Sequence, residues 1–263
     1  MKTVCRLGAA LAILFAGIPV VKTVAAEEIK VGAYADINLL SAYVWRGQVL
    51  NNEAVLQPSA TITKGGFAIN LWGNYNYTDR ATGKSREYSE IDLTVSYSRA
   101  FGPVTLGAGC IEYLFPNQTL VDANGVGTGY PGTREVYLSA SLPGLPVVPS
   151  LTVYYDYGEA DSLYASGSLA YTAKFNDALC MNLNASLGYG AEGYNSFYFG
   201  INEAALNDGN IGVSMTWTVC PNLSLTPAYQ YTMLVDQDIE SAAAVLYKDR
   251  DQSVFSVKAT FTF

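Results

Sequence analysis

The sequence predicts an all-β fold, a transmembrane antiparallel β-barrel of about twelve strands with both chain ends on the periplasmic side. Three observations carry that expectation. Period-two alternation recurs along the chain, the connections alternate between short and long, and aromatic residues gather near both ends of the alternating runs. Composition agrees. Half of the 263 residues are hydrophobic, only 14% are charged, and Tyr (20) and Gly (24) are abundant. Such a mixture suits strands and turns better than helices.

The clearest run closes the chain. Phe255, Val257, Ala259, Phe261 and Phe263 alternate with Ser256, Lys258, Thr260 and Thr262. One face is therefore apolar and the other polar. An aromatic final residue on such a strand resembles the C-terminal signal that the outer-membrane barrel-insertion machinery reads, so that machinery and outer-membrane lipid are the expected partners. Eleven further runs precede it, at residues 33–46, 54–63, 67–77, 87–98, 104–114, 134–142, 151–157, 162–172, 179–189, 211–219 and 223–231. The first loses its phase near Leu40, as a bulge would cause. The fourth is regular, with Ile91, Leu93, Val95 and Tyr97 opposing Glu90, Asp92, Thr94 and Ser96.

Short turn signals join alternate pairs of runs: Lys64-Gly65-Gly66, Phe101-Gly102-Pro103, the Pro-rich stretch 143–149, Phe175-Asn176-Asp177 and Pro221-Asn222. The intervening connections are longer, and 115–132, 190–210 and 232–250 are the longest. Gly158-Glu159-Ala160-Asp161 is the one short exception. Short periplasmic turns opposite long outer loops are a transmembrane-barrel pattern. With the short turns inside, Tyr75, Tyr77, Tyr113, Tyr155, Tyr157, Tyr189, Tyr229 and Tyr231 form an outer aromatic row. Phe67, Tyr97, Phe101, Tyr171, Trp217, Phe261 and Phe263 form an inner one. A soluble lipocalin-like barrel would turn its apolar face inward instead.

Residues 1–26 read as a secretory signal peptide. Lys2 and Arg6 precede an apolar stretch ending in Val24-Ala25-Ala26. Residues 27–263 then form one barrel domain, with the bacterial outer membrane as its expected location. Losing Lys2, Arg6 and Lys22 takes the net charge from −8 to −11. So acidic a chain makes nucleic acid an unsuitable partner.

The polar faces would line the lumen, with Asp36, Asn70, Asn74, Glu90, Asp92, Glu135, Asp156, Asn182, Asn184 and Lys258. Two uses of this wall stay open. One is a narrow passive channel for small neutral or cationic solutes. The other is a filled, structural lumen in which Lys258 and Arg134 neutralise carboxylates, with the long loops contacting a partner. The neighbour expected for Lys258 is the eleventh run or the first, where Asp36 is the available acid. Enzymatic activity is not expected, because the chain has no His to serve as the usual general base. No cofactor or metal is expected either. The run Asp236, Asp238, Glu240 resembles a calcium loop but lacks its glycine and closing glutamate. Cys180 and Cys220, in neighbouring runs of an exported chain, are the candidate disulfide, leaving Cys110 alone.

The stretch Ser41-Ala42-Tyr43-Val44-Trp45-Arg46-Gly47 resembles the Tyr-Val-aromatic-Arg-Gly signature of the Gcw_chp-type family of bacterial outer-membrane proteins. Gln57-Pro58, Glu90-Ile91-Asp92-Leu93 and the final Phe263 resemble it too. Gln48-Val49 departs from the Ser-Gln that usually follows the signature. The resemblance implies fold and location but no chemistry. For Arg46 itself the expected role is a strand-end arginine bonded to lumen carboxylates.

Overall fold

The structure is a computed structural model that describes residues 31–78, 86–121, 127–247 and 249–263. The expected signal peptide, residues 1–26, lies outside them, as does part of the Gly-rich run 124–129. In chain order the strands are β1 (Gly32–Leu40), β2 (Tyr43–Trp45), β3 (Gln48–Asn51), β4 (Val55–Lys64), β5 (Phe67–Asn76), β6 (Glu87–Phe101), β7 (Val104–Leu114) and β8 (Thr119–Val121). They continue with β9 (Gly127–Gly129), β10 (Thr133–Ser141), β11 (Val147–Asp156), β12 (Ser162–Lys174), β13 (Leu179–Gly190), β14 (Ala205–Cys220), β15 (Leu223–Leu234) and β16 (Gln252–Thr262). Two helices, α1 (Glu192–Phe199) and α2 (Gln237–Leu246), lie in the connections before β14 and β16.

Twelve of the strands close an antiparallel up-and-down barrel in the order β1-β16-β15-β14-β13-β12-β11-β10-β7-β6-β5-β4. β1 completes the ring by pairing β16 on one side and β4 on the other. The final strand is held on both edges, with Tyr34 opposite Thr262 and Leu223 opposite Phe261. Closure leaves no open edge, as a strand in a bilayer requires.

The barrel is built inside out relative to a soluble one. Leu138 is 68% exposed on the outer surface, whereas its neighbour two strand positions from Tyr137, Glu135, is 0% exposed. Ile62, Leu71, Leu93, Leu151, Leu169, Ile211 and Val257 are likewise exposed outward. The buried set is instead rich in Asn, Gln, Thr, Ser and acids. An apolar exterior around a polar bore fits hydrocarbon outside and water inside. Phe67, Tyr97, Phe101, Tyr171, Trp217, Phe261 and Phe263 are all exposed near the short turns. Tyr77, Tyr155, Tyr157 and Tyr189 are exposed near the long loops. Tyr113 does not belong to that row. Odd-numbered residues of β7 face the lumen, and Tyr113 is buried there at 2% exposure.

Three further sequence expectations change. Near Leu40 the strand does not bulge; it ends, and the chain leaves the wall. The Ser41 amide bonds the Phe255 carbonyl, the Phe255 amide bonds Ser41 Oγ, and Ala42 turns inward to full burial. The connections at 190–210 and 232–250 carry helices rather than loops alone. Finally, Cys180 and Cys220 are not joined; Cys110, Cys180 and Cys220 are free thiols. Register explains this. Cys180 lies opposite Thr216, while Cys220 lies beyond a bulge opposite Leu223. Four residues of strand put the two cysteines roughly 13 Å apart along the sheet, beyond the ~7 Å limit for a bridge.

Candidate functional site

The site is the lumen, and its organising piece is the short hairpin β2–β3. Trp45 pairs with Gln48, leaving Arg46 and Gly47 as a two-residue turn. Both have positive φ, 47° and 81°. That is the backbone of a type I′ turn, which suits a tight hairpin. Gly47 answers a second demand as well. A Cβ there would lie 2.6 Å from Leu234 Cδ2 and 3.0 Å from Asp208 Cβ. The Arg-Gly pair therefore brings the hairpin tip hard against β14 and β15.

The hairpin is packed into the long-loop half of the bore. Tyr43, Val44 and Val49 join Leu40, Val55 and Val254 in one apolar cluster, with Trp45, Leu50 and Trp72 at its edge. Its polar groups reach three wall strands, α1 and the residue that caps the end of α2. Tyr43 Oη donates to Glu90 Oε2 on β6 (2.7 Å), and Asn51 Nδ2 donates to Asn76 Oδ1 on β5 (3.0 Å). Arg46 Nη1 and Nη2 donate to Glu135 Oε1 and Oε2 on β10 at 2.6 and 2.7 Å. Tyr113 Oη on β7 completes the Glu135 carboxylate at 2.9 Å. Gln48 Nε2 donates to Tyr194 Oη on α1 (3.3 Å) and Gln48 Oε1 accepts from Tyr247 Oη just after α2 (2.7 Å).

Aromatic rings enclose the Arg46 guanidinium. Its Cζ lies 4.3 Å from the ring centres of Tyr154 and Tyr164, 4.5 Å from Trp45 and 5.9 Å from Tyr194. Arg46 is 5% exposed and Glu135 0%. A planar cation, a two-pronged acid and ring faces together satisfy a charge taken out of water. Behind this centre, Tyr164 Oη donates to Asp208 Oδ1 (2.7 Å), and Asn210 Nδ2 donates to Asp208 Oδ2 (2.8 Å). The helices pack beside it, with Tyr194, Phe199, Ile239 and Ala243 in one apolar cluster with Tyr164 and Leu234 of the wall. Burial raises the phenols of Tyr194, Tyr198 and Tyr247 above the ordinary tyrosine range, so these residues remain neutral.

The short-turn half of the bore is made differently. Ser141, Ser150, Ser168 and Ser186 face one another in register across β10, β11, β12 and β13. The hydroxyls of Ser150 and Ser168 are 2.7 Å apart. Thr172 donates to Asn182 (2.8 Å), Asn182 reaches Ser214 at 3.5 Å, and Asn70 donates to Thr61 Oγ1 (2.7 Å). Asn184 faces inward opposite Gly212. These side chains are short and uncharged.

All the lumen residues expected from the sequence except Arg46 lie on the inward phase of their wall strands. Asn74 is fully buried and bonds Asn76 and Ser89. Asp156 fixes the short connection after β11, accepting from Thr133 Oγ1 and the amides of Gly158 and Glu159. That explains why this loop breaks the length rule. Glu90 and Asp92 are 3% and 2% exposed, and among the described residues no base pairs with either. Lys258 does not meet Asp36: it lies opposite Asn38, while Asp36 accepts from Thr260 and Ser59. Arg134 faces outward and pairs with Glu112 (2.6 Å), so it neutralises nothing in the lumen. Arg46 does bind a lumen carboxylate, but from a hairpin tip rather than a strand end. Tyr164, Tyr194, Asp208 and Tyr247 were not expected at the site. The inward phase of the run at 162–172 was a signal for Tyr164, whereas Asp208 lay in the expected loop 190–210 and nothing in the alternation pointed to the two helices.

Outside the bore, Asp236 caps α2 by accepting from the amides of Asp238 and Ile239. Glu203, Asp236 and Asp238 bring carboxylate oxygens within 4.8 Å of one another at the outer mouth. Glu240 pairs with Arg250 at 3.0 Å.

The profile of a family described as bacterial protein of unknown function (Gcw_chp) matches residues 25–261. The chain belongs to that family. A search of curated protein sequences found no match. Among solved structures the fold is similar to the COG4313 outer membrane channel from Pseudomonas putida F1 (TM-score 0.54, 10% identity, 92% of this chain and 100% of that one). It is also similar to the NanC porin (0.53, 10%, 87% and 100%). A third similar structure is the KdgM porin in complex with disordered oligogalacturonate (0.50, 10%, 89% and 99%). At such identities the likeness is one of fold: a closed antiparallel β-barrel.

Proposed function

We propose that this chain is a narrow passive channel of the bacterial outer membrane for small hydrophilic solutes, with a preference for cations. The observation that carries this reading is the polar bore inside an apolar wall. Its short-turn half is rich in hydroxyls and amides, with Asp36 and Lys258 as its charged groups. Its long-loop half carries Glu90, Asp92, Glu135, Asp156 and Asp208 against Arg46. Carboxylates lining a bore with low-dielectric walls attract cations and repel anions. The β2–β3 hairpin narrows the long-loop half and sets the size limit. We read residues 1–26 as the export signal and the strand ending at Phe263 as the segment the insertion machinery engages. No enzymatic reaction is assigned.

Liposome swelling with neutral solutes of graded size tests the channel. Rapid swelling with the smallest solutes and none with large ones is the expected result. No swelling with any solute, from a barrel shown to be inserted, would favour a structural barrel acting through its outer loops. Asp92→Lys should shift the reversal potential in a salt gradient toward anions, and an unchanged potential would remove the carboxylates from the conduction path.

A further inference from the structure

The surroundings of Arg46 are those of a bound ligand. Its guanidinium is gripped by Glu135 through two parallel bonds, and Tyr113 orients that carboxylate. Tyr154 and Tyr164 lie 4.3 Å from its Cζ. All four groups belong to the barrel wall, on β7, β10, β11 and β12, and not to the hairpin that carries Arg46. They are fixed by strand pairing, since Tyr154 lies opposite Tyr137 and Tyr164, and Glu135 opposite Ile111 and Asp156. Tyr164 is held further by its bond to Asp208. Taking the hairpin away would leave this constellation in place, facing the bore, with an uncompensated buried carboxylate at its centre.

We infer that Glu135, Tyr113, Tyr154 and Tyr164 form a guanidinium-binding site in the lumen, occupied by Arg46 as an internal ligand and open to exchange with a guanidinium-bearing solute. The inference rests on the channel reading for its physiological use, since such a solute would exchange with Arg46 in transit. A planar fork matches Glu135, and a delocalised cation suits flanking ring faces. A compact ammonium meets neither condition as well. Along the same wall, Glu90 and Asp92 have no basic partner among the described residues, and Asp92 Oδ1 is buried without a hydrogen bond. The path beside the site therefore also favours positive charge.

The test is chemical rescue of Arg46→Ala. The variant is refolded in detergent and titrated with millimolar methylguanidinium, with methylammonium and sodium at equal ionic strength as controls. The expected result is a saturable rise in melting temperature toward the parent value with methylguanidinium alone. Arg46→Ala combined with Glu135→Gln should lose that rise. Equal effects of the three cations, or no effect, would overturn the site. If Arg46→Ala refolds poorly, refolding yield becomes the readout. Recovery only in methylguanidinium supports the site, and failure in all three cations counts against it. Methylguanidinium current through the parent in planar bilayers separates the two readings. Rescue without current would keep the site and sink the channel, while current without rescue would do the reverse.

Discussion

The two halves of the bore are built from different materials. Toward the short turns, the wall alone lines the lumen with short hydroxyls and amides such as Ser150, Ser168 and Asn182. Toward the long loops, segments that have left the wall come back into the bore and bring charge with them. Arg46 meets Glu135, Tyr43 meets Glu90, and Gln48 links both helices. The wall decides which side chains face inward. The returning loops decide how much of the bore remains. On the proposed channel reading, selectivity and size limit belong to the long-loop half, and the short-turn half is a polar vestibule.

Mutations should separate the halves by size of effect. Arg46→Ala leaves Glu135 buried and unpaired, and should cost about 3–5 kcal/mol of unfolding free energy, measured by urea titration in micelles. Gly47→Ala should cost about 1–3 kcal/mol, because the left-handed φ of 81° and the 2.6 Å approach to Leu234 both oppose a side chain. Ser168→Ala in the vestibule should cost about 0.5–1.5 kcal/mol through one lost hydroxyl contact with Ser150. A loss at Ser168 equal to that at Arg46 would erase the contrast between the halves. The smallest effect is expected from the cysteines. Cys180→Ser with Cys220→Ser should leave stability within ~0.5 kcal/mol, and the parent should run identically on reducing and non-reducing gels.

The staves were legible because a half-buried strand writes its period into the sequence. Residues 104–114 were delimited at both ends, and β6, β13 and β16 were placed with their faces correct. The alternation of turn lengths matched the closed up-and-down barrel. The contents of the bore were not legible, because they depend on contacts between residues far apart in sequence. Arg46 and Glu135 are 89 positions apart. Period-two reasoning puts Glu135 on the inner face but does not say which side chain crosses the lumen to meet it. The hairpin itself left one trace, the loss of phase at Leu40. A bulge explained that trace as well as a departure from the wall until Ala42 was seen fully buried. The disulfide expectation failed for a related reason: being on neighbouring strands fixes adjacency, not register.

The central claim is that the bore conducts and that the Arg46–Glu135 hairpin sets its width. Single-channel conductance of the parent and of Arg46→Ala with Glu135→Ala, compared in planar bilayers, tests it most directly. Small cation-selective steps from the parent and distinctly larger steps from the double variant are the predicted result. Silence from both barrels, once heat-dependent gel mobility shows that each is folded, would contradict it.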